Sequence, residues 1–105
     1  MSPEKRTGTP VFRVIDAMSG PHSGQILRVR FTGGRTPALR EMKGSSLQAR
    51  SPNGTESSLK VVAFSTIGGT PSDARFTRTG RLDLLVELDP GSPPVGLRWT
   101  LTGPQ

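Results

Sequence analysis

The sequence has no cysteine and no tyrosine, and its aromatic residues are four phenylalanines and one tryptophan in 105 residues. Without cysteine, the chain can form neither a disulfide framework nor a thiolate metal site. It contains no run of 18 apolar residues, which a transmembrane helix requires. Its polar opening, residues 1–6, has no apolar segment behind it of the kind found in a secretory signal. We therefore expect a soluble protein of the cytoplasm.

Groups for catalysis are equally scarce. The one histidine, His22, lies between Pro21 and Ser23 in a segment of turn-forming residues, where a solvated surface position is the ordinary interpretation. No serine stands in a Gly-x-Ser-x-Gly motif, and no acidic residues have EF-hand spacing. Asp83 and Glu87 share the outer face of a predicted strand, as two solvated charges would. The sequence thus predicts a non-enzymatic binding protein with no catalytic residues, no metal site and no cofactor.

The chain does contain a series of short segments in which apolar and polar residues alternate. Hydrophobic residues make up 31% of the sequence, so the core must be thin, and 13 glycines and 10 prolines divide the chain into short pieces. The predicted strands are 10–18, 25–32, 47–50, 58–67, 81–89 and 97–102. Such spacing favours an all-β fold, a small closed or partly open antiparallel β-barrel of about six strands. We expect one domain over 10–103, a disordered lead at 1–9 and a tail at 104–105.

Period-two alternation predicts which side chains face the core. The expected inward set is Phe12, Val14, Met18, Leu27, Val29, Phe31, Leu82, Leu84, Val86, Leu88, Leu97, Trp99 and Leu101. The fourth strand is apolar on both faces at 61–64, which is typical of a central strand. Residues 38–43 form either one helical turn, at most, or an irregular loop, and Asn53-Gly54 predicts a tight turn.

Positive charge is the strongest compositional feature. The net charge is +6, and eleven arginines outnumber three lysines. This balance suits an anionic partner such as RNA, DNA or an acidic protein face, and the planar guanidinium matches phosphate. The alternative is that the arginines reflect the codon usage of a GC-rich genome and keep the protein soluble.

A candidate binding face follows if the barrel gathers its arginines on one side. The predicted nucleic-acid-binding residues are Arg28, Arg30, Arg35, Arg75, Phe76, Arg78 and Arg81. Arginines in a stripe would contact phosphates without reading sequence. Phe76 either stacks on a base or plugs one end of the barrel.

A second interpretation belongs to another functional class. The chain is then a protein-interaction or self-assembling accessory subunit, for example of a virus or phage. Its contacts would run through sheet edges and through the apolar fourth strand.

The first predicted hairpin resembles a known family. Residues 14–30 read VIDAMSGPHSGQILRVR and are similar to the opening of the N-terminal barrel of the ribosome maturation factor RimM family. Residues 39–43, 52–54, 59–61 and 74–76 continue the similarity, which covers about 11–78. The resemblance implies a six-stranded barrel of the translation-factor domain-2 type. Its implied partner is a ribosomal protein or ribosomal RNA on an assembling small subunit. Gly20, Pro21, His22 and Gly24 carry over as turn residues and partner contacts.

Overall fold

A computed structural model of the chain describes residues 8–20, 24–66 and 69–104. Within these ranges there are six strands and two short helices. The strands are β1 (Val11–Ser19), β2 (Gln25–Gly33), β3 (Ser46–Arg50), β4 (Glu56–Phe64), β5 (Arg81–Leu88) and β6 (Thr100–Thr102). The helices are α1 (Leu39–Met42), between β2 and β3, and α2 (Asp73–Thr79), between β4 and β5.

The strands form a closed barrel in the order β1-β2-β5-β4-β3-β6, and every neighbouring pair is antiparallel. The short β6 closes it by pairing with both β1 and β3. Beside this closure, the Gly103 N–H donates to the Pro10 carbonyl at 2.9 Å. The all-β barrel predicted from the sequence is confirmed, and its closed form leaves no described strand with a free edge.

The barrel interior is filled by the inward residues of all six strands. The buried apolar side chains include Phe12, Val14, Leu27, Val29, Leu47, Leu59, Val61, Leu84, Val86 and Leu101. Partly buried Phe31, Leu88 and Trp99 pack against them, as the alternation predicted. The alternating pattern therefore identified most of the core.

An aromatic cluster closes one end of the barrel. The Phe76 ring, which is 2% exposed, lies 6.2 Å from the Phe12 ring and 5.9 Å from the Phe31 ring, measured between centroids. The Gly80 carbonyl, at the end of α2, accepts a 2.7 Å hydrogen bond from the Phe31 N–H. The proposed base-stacking role of Phe76 is therefore wrong, because a buried ring offers no face to a ligand. The alternative, a barrel plug, is correct.

The prediction for Met18 is also wrong. The register of β1 against β2 shifts between Val14 and Asp16, so that Ile15 is an extra residue in β1. A bulge of this kind reverses which face the following residues occupy. Ala17 consequently packs against the core, whereas Met18 is 37% exposed.

The last predicted strand is shorter than expected, and Leu97 is 58% exposed rather than inward. The reason lies in the backbone at Arg98, where φ is +68° and the chain turns. The turn is fixed to β1 by two 2.9 Å hydrogen bonds, from the Arg98 N–H to the Val14 carbonyl and from the Val14 N–H to the Trp99 carbonyl.

The helices require one correction. Residues 38–43 do form a helical turn, α1, but α2 is a second helix that the sequence analysis did not predict. The Ser72 hydroxyl caps α2 by accepting from the Arg75 N–H at 3.1 Å, and Gly80 ends it in the left-handed conformation. Its seven residues bury only Phe76, so they show no helical periodicity in the sequence.

The remaining predictions concern turns and ends. The turn at Asn53-Gly54 is present: the Gly54 N–H donates to the Ser51 carbonyl, and the Ser51 N–H to the Thr55 carbonyl. Pro104, assigned to a tail, is buried. Residues 1–7 of the predicted lead, Ile67 of the predicted fourth strand, and Gln105 lie outside the described residues.

Candidate nucleic-acid interface

Three arginines lie side by side across the outer face of the barrel. Arg13 on β1 is directly opposite Arg30 on β2, and Arg30 is directly opposite Arg81 on β5. All three are exposed. Opposite residues on neighbouring strands have Cβ atoms about 4.5–5.5 Å apart. We call Arg13, Arg30 and Arg81 the arginine row.

The arginine row is electrostatically unbalanced. Like charges directly opposite one another in a sheet repel. In the part of the chain that the structure describes, none of the three guanidinium groups has a carboxylate within salt-bridge distance. An anion placed over the row would relieve this repulsion, so the row is suited to bind one.

Arg28, two residues from Arg30 on the same face, is in a different environment. It lies between Asp83 on β5 and Asp16 on β1. Its Nε donates to Asp83 Oδ1 at 2.9 Å and its Nη2 to Asp83 Oδ2 at 3.3 Å. This hydrogen bonding, with the attraction of both carboxylates, raises the pKa of Arg28. The charge of this predicted site residue is thus balanced within the protein.

A first cleft adjoins the arginine row beside β5. It is open to solvent, has a volume of about 430 Å³, and is lined by Arg28, Arg75 and Arg81 together with Gly69 and Thr79. The Arg75 guanidinium lies against the Gly69 backbone, where a Cβ atom would be 2.0 Å from Nη1. The structure therefore brings Arg28, Arg30, Arg75 and Arg81 of the predicted set together.

Arg35 and Arg78 are placed differently. The Arg35 guanidinium binds both carboxylate oxygens of Glu41, at 2.9 and 2.8 Å, and donates to the Pro104 carbonyl at 3.4 Å. It ties the loop after β2 to α1 and lines neither cleft. Arg78 is exposed in the last turn of α2.

The Glu41 carboxylate has a lowered pKa for a clear reason. Its largest cause is the hydrogen bond from Arg35, followed by the hydrogen bond from the backbone N–H of Ala38, at 3.0 Å. The same pair raises the pKa of Arg35. Arg35 is thus engaged in holding the loop.

A second cleft was missed by sequence reasoning. It has a volume of about 330 Å³ and is lined by Arg13, Arg50, Ser51, Pro52, Arg98 and Thr100. Alternation put Arg13 and Arg98 on the outer face, but nothing in the sequence indicates that β6 lies between β1 and β3. That pairing, which brings Arg13 and Arg50 to either side of Thr100, is a property of the closed barrel.

The turn that carries the family resemblance is described only at its base. The Gly20 N–H donates to the Gly24 carbonyl at 2.9 Å, which closes the loop between β1 and β2. Pro21 and His22, the other two predicted contact residues, lie outside the described residues.

Residues 8–20, 24–66 and 69–104 lack two further features. These contain no group of three or more histidine, cysteine, aspartate or glutamate side chains arranged to hold a metal ion. Neither of their helices has the length and apolar character needed to cross a membrane.

Comparison with known protein families found no match, and comparisons with curated proteins and with solved structures found none either.

Proposed function

We propose that this domain is a non-enzymatic RNA-binding protein that contacts the phosphate backbone through the arginine row. The observation that carries the proposal is the direct cross-strand alignment of Arg13, Arg30 and Arg81 without a carboxylate partner in the described part of the chain. The net charge of +6 supports it, because positive charge draws a polyanion toward the surface.

The chemistry of such a site favours backbone contact over base reading. Guanidinium groups donate paired hydrogen bonds to phosphate oxygens. No aromatic side chain is exposed among the described residues, since Phe76 is buried and Trp99 packs against the core. Binding would therefore depend on phosphates and be largely independent of sequence.

The resemblance of residues 11–78 to the RimM barrel adds a biological setting to this proposal. A ribonucleoprotein of the assembling small ribosomal subunit, in the cytoplasm, would present RNA of the required charge. Gly20, Pro21, His22 and Gly24 would then make the additional partner contacts.

The direct test is the affinity for fluorescently labelled RNA, measured by anisotropy across a series of salt concentrations. We expect the logarithm of the association constant to fall linearly with the logarithm of the salt concentration. Arg30→Ala and Arg81→Ala should each weaken binding and make that slope less negative by roughly 0.7–0.9.

Lys60→Ala is the matched control for lost charge. Lys60 is exposed on β4 opposite Glu87, six residues from Arg81 along β5, a distance of roughly 20 Å. Its removal should change the slope much less. Affinity that does not fall as salt rises, or equal effects of all three substitutions, would contradict the proposal.

One observation favours self-association as a second candidate function. Met18, Ile26, Leu85 and Ala63 are aligned across four strands on the outer face, and we call them the apolar row. Sheet edges, the other contact in that hypothesis, are all paired within the described barrel. Light scattering over a concentration series tests this candidate. Met18→Lys should shift an oligomer to monomer, and a wild-type protein that stays monomeric would exclude it.

A further inference from the structure

The arginine row continues beyond β1 to two more strands. On the outer face, Arg13 is opposite Thr100 of β6, and Thr100 is opposite Arg50 of β3. From Arg81 to Arg50 the alignment crosses β5, β2, β1, β6 and β3, which is four of the barrel's six inter-strand steps. The aligned residues, Arg81, Arg30, Arg13, Thr100 and Arg50, thus follow about two thirds of the circumference, and we call this alignment the path.

The second cleft is the far end of this path. Arg13 and Arg50 flank Thr100 from neighbouring strands, so their Cα atoms are about 10 Å apart, and both long side chains line the cleft above the threonine. Arg98 contributes a third guanidinium from the turn that is hydrogen-bonded to Val14. Three arginines thus line one cleft together with Thr100.

Among the described residues, the carboxylate that forms a salt bridge with this cluster is Glu56, which binds Arg50 at 2.5 Å. That pair is exposed, with relative side-chain exposures of 68% and 61%. An exposed ion pair holds its partners weakly because water competes for both charges. A phosphate can therefore replace Glu56 at Arg50, and Arg13 and Arg98 have no salt bridge among the described residues to give up.

The shape of the path restricts the kind of nucleic acid that fits. A duplex is stiff over about 50 nm and stays straight on the scale of this barrel. It would touch the convex wall along only part of the alignment. A single strand is flexible enough to follow the curved surface and to reach every cation on it.

We infer that the domain binds single-stranded nucleic acid wrapped across the strands, with one phosphate held in the second cleft by Arg13, Arg50 and Arg98 over Thr100. This inference rests on the proposed function and specifies its ligand. It requires contact at both ends of the path, from Arg81 on β5 to Arg50 on β3.

The test compares a short and a long single-stranded oligouridylate, of about three and about eight nucleotides, with a duplex of the longer length. Arg98→Gly removes the guanidinium while glycine accepts the positive φ of this position. Arg98→Gly should weaken binding of the long oligomer on the order of tenfold and leave the short oligomer, which the arginine row can hold alone, nearly unchanged. Arg98→Lys should restore part of the loss.

Circular dichroism and unfolding midpoints keep a folding defect of Arg98→Gly separate from a binding defect. Equal affinity of the folded variant and the wild type for the long oligomer would overturn the inference. So would a duplex that binds as tightly as the long single strand. In both cases the proposed function stands if Arg30→Ala and Arg81→Ala still reduce the salt slope. If none of the three ligands binds in a salt-dependent manner, both this inference and the proposed function are overturned.

Discussion

At the scale of single residues, the contribution of the Arg35–Glu41 pair to the stability of the fold depends on pH. The pKa of Glu41 is lower in the folded protein than its ordinary value of 4.5. A lowered carboxyl pKa contributes stability that is complete above the unfolded value and disappears as the pH falls through the folded value. The contribution is therefore present at pH 7 and is lost in acid.

Glu41→Gln tests this dependence. The variant should be less stable than the wild type at pH 7, by less than about 1 kcal/mol because the pair is more than one third exposed. The difference should shrink below pH 4.5. Urea unfolding at a series of pH values measures it. Glu87→Gln is the control, since Glu87 is exposed and forms no salt bridge in the described chain. A constant difference at every pH would contradict the assignment.

Phe76 is a predicted base-stacking residue whose ring is instead buried in the core. Phe76→Ala leaves a cavity among Phe12, Phe31 and the strand ends, and should cost about 3–5 kcal/mol in the free energy of unfolding. Thr77→Ala changes the exposed neighbour on α2 and should have a small effect. Chemical denaturation compares them. If Phe76→Ala folds with unchanged stability but loses RNA affinity, the plug assignment is wrong.

At the scale of elements, the loop after β2 is fixed by a close backbone contact. Gly34 has φ of +80°, and a Cβ atom there would lie 2.1 Å from the Thr9 carbonyl oxygen. Gly54 has φ of +93° with nothing within 4 Å of the same position. Replacing either glycine with alanine puts a side chain on a left-handed backbone, which costs about 1–3 kcal/mol in the free energy of unfolding. Only at Gly34 would the new Cβ atom also collide with a neighbouring atom.

Gly34→Ala should therefore destabilise the protein clearly more than Gly54→Ala. Thermal or urea unfolding of the two variants isolates the contact between the loop and residues 9–10. Equal losses would mean that the chain before β1 moves away at little cost.

Predictability from sequence also differs between elements. The strands could be predicted because each carries alternating apolar residues between turn formers. The bulge at Ile15 could not, since one extra residue leaves no mark in composition and yet exposes Met18. Helix α2 escaped prediction because seven residues with one buried side chain have no detectable period.

At the scale of the whole molecule, the order of the strands in the barrel is the property that could not be predicted from the sequence. β5 lies between β2 and β4, and β6 lies between β1 and β3, so neighbours in space are distant in sequence. The sequence identified Arg30 and Arg81 as candidates, and the register makes them partners. Arg13 became a candidate through its register with Arg30, and Arg50 and Arg98 became candidates through the closure of the barrel by β6.

The closing strand provides a test at this scale. Removing residues 99–105 deletes β6 and exposes the edges of β1 and β3 to solvent. Open edges pair with other chains, so the truncated protein should aggregate or unfold. Size-exclusion chromatography with light scattering detects this outcome. Leu97→Ser, a change beside the same turn at an exposed position, should leave the barrel folded. A monomeric, folded truncation would show that closure is dispensable.

The hydrogen bond between Gly103 and Pro10 has a practical consequence for the connectivity of the chain. Because these two positions touch, a brief linker can join them, and new termini can be opened at the exposed Pro90-Gly91 corner. Such a circular permutant keeps every strand beside its present neighbours while the succession of strands along the polypeptide changes. The architecture thus depends on which strands are adjacent in space, and we expect it to tolerate this change in the order of strands along the chain.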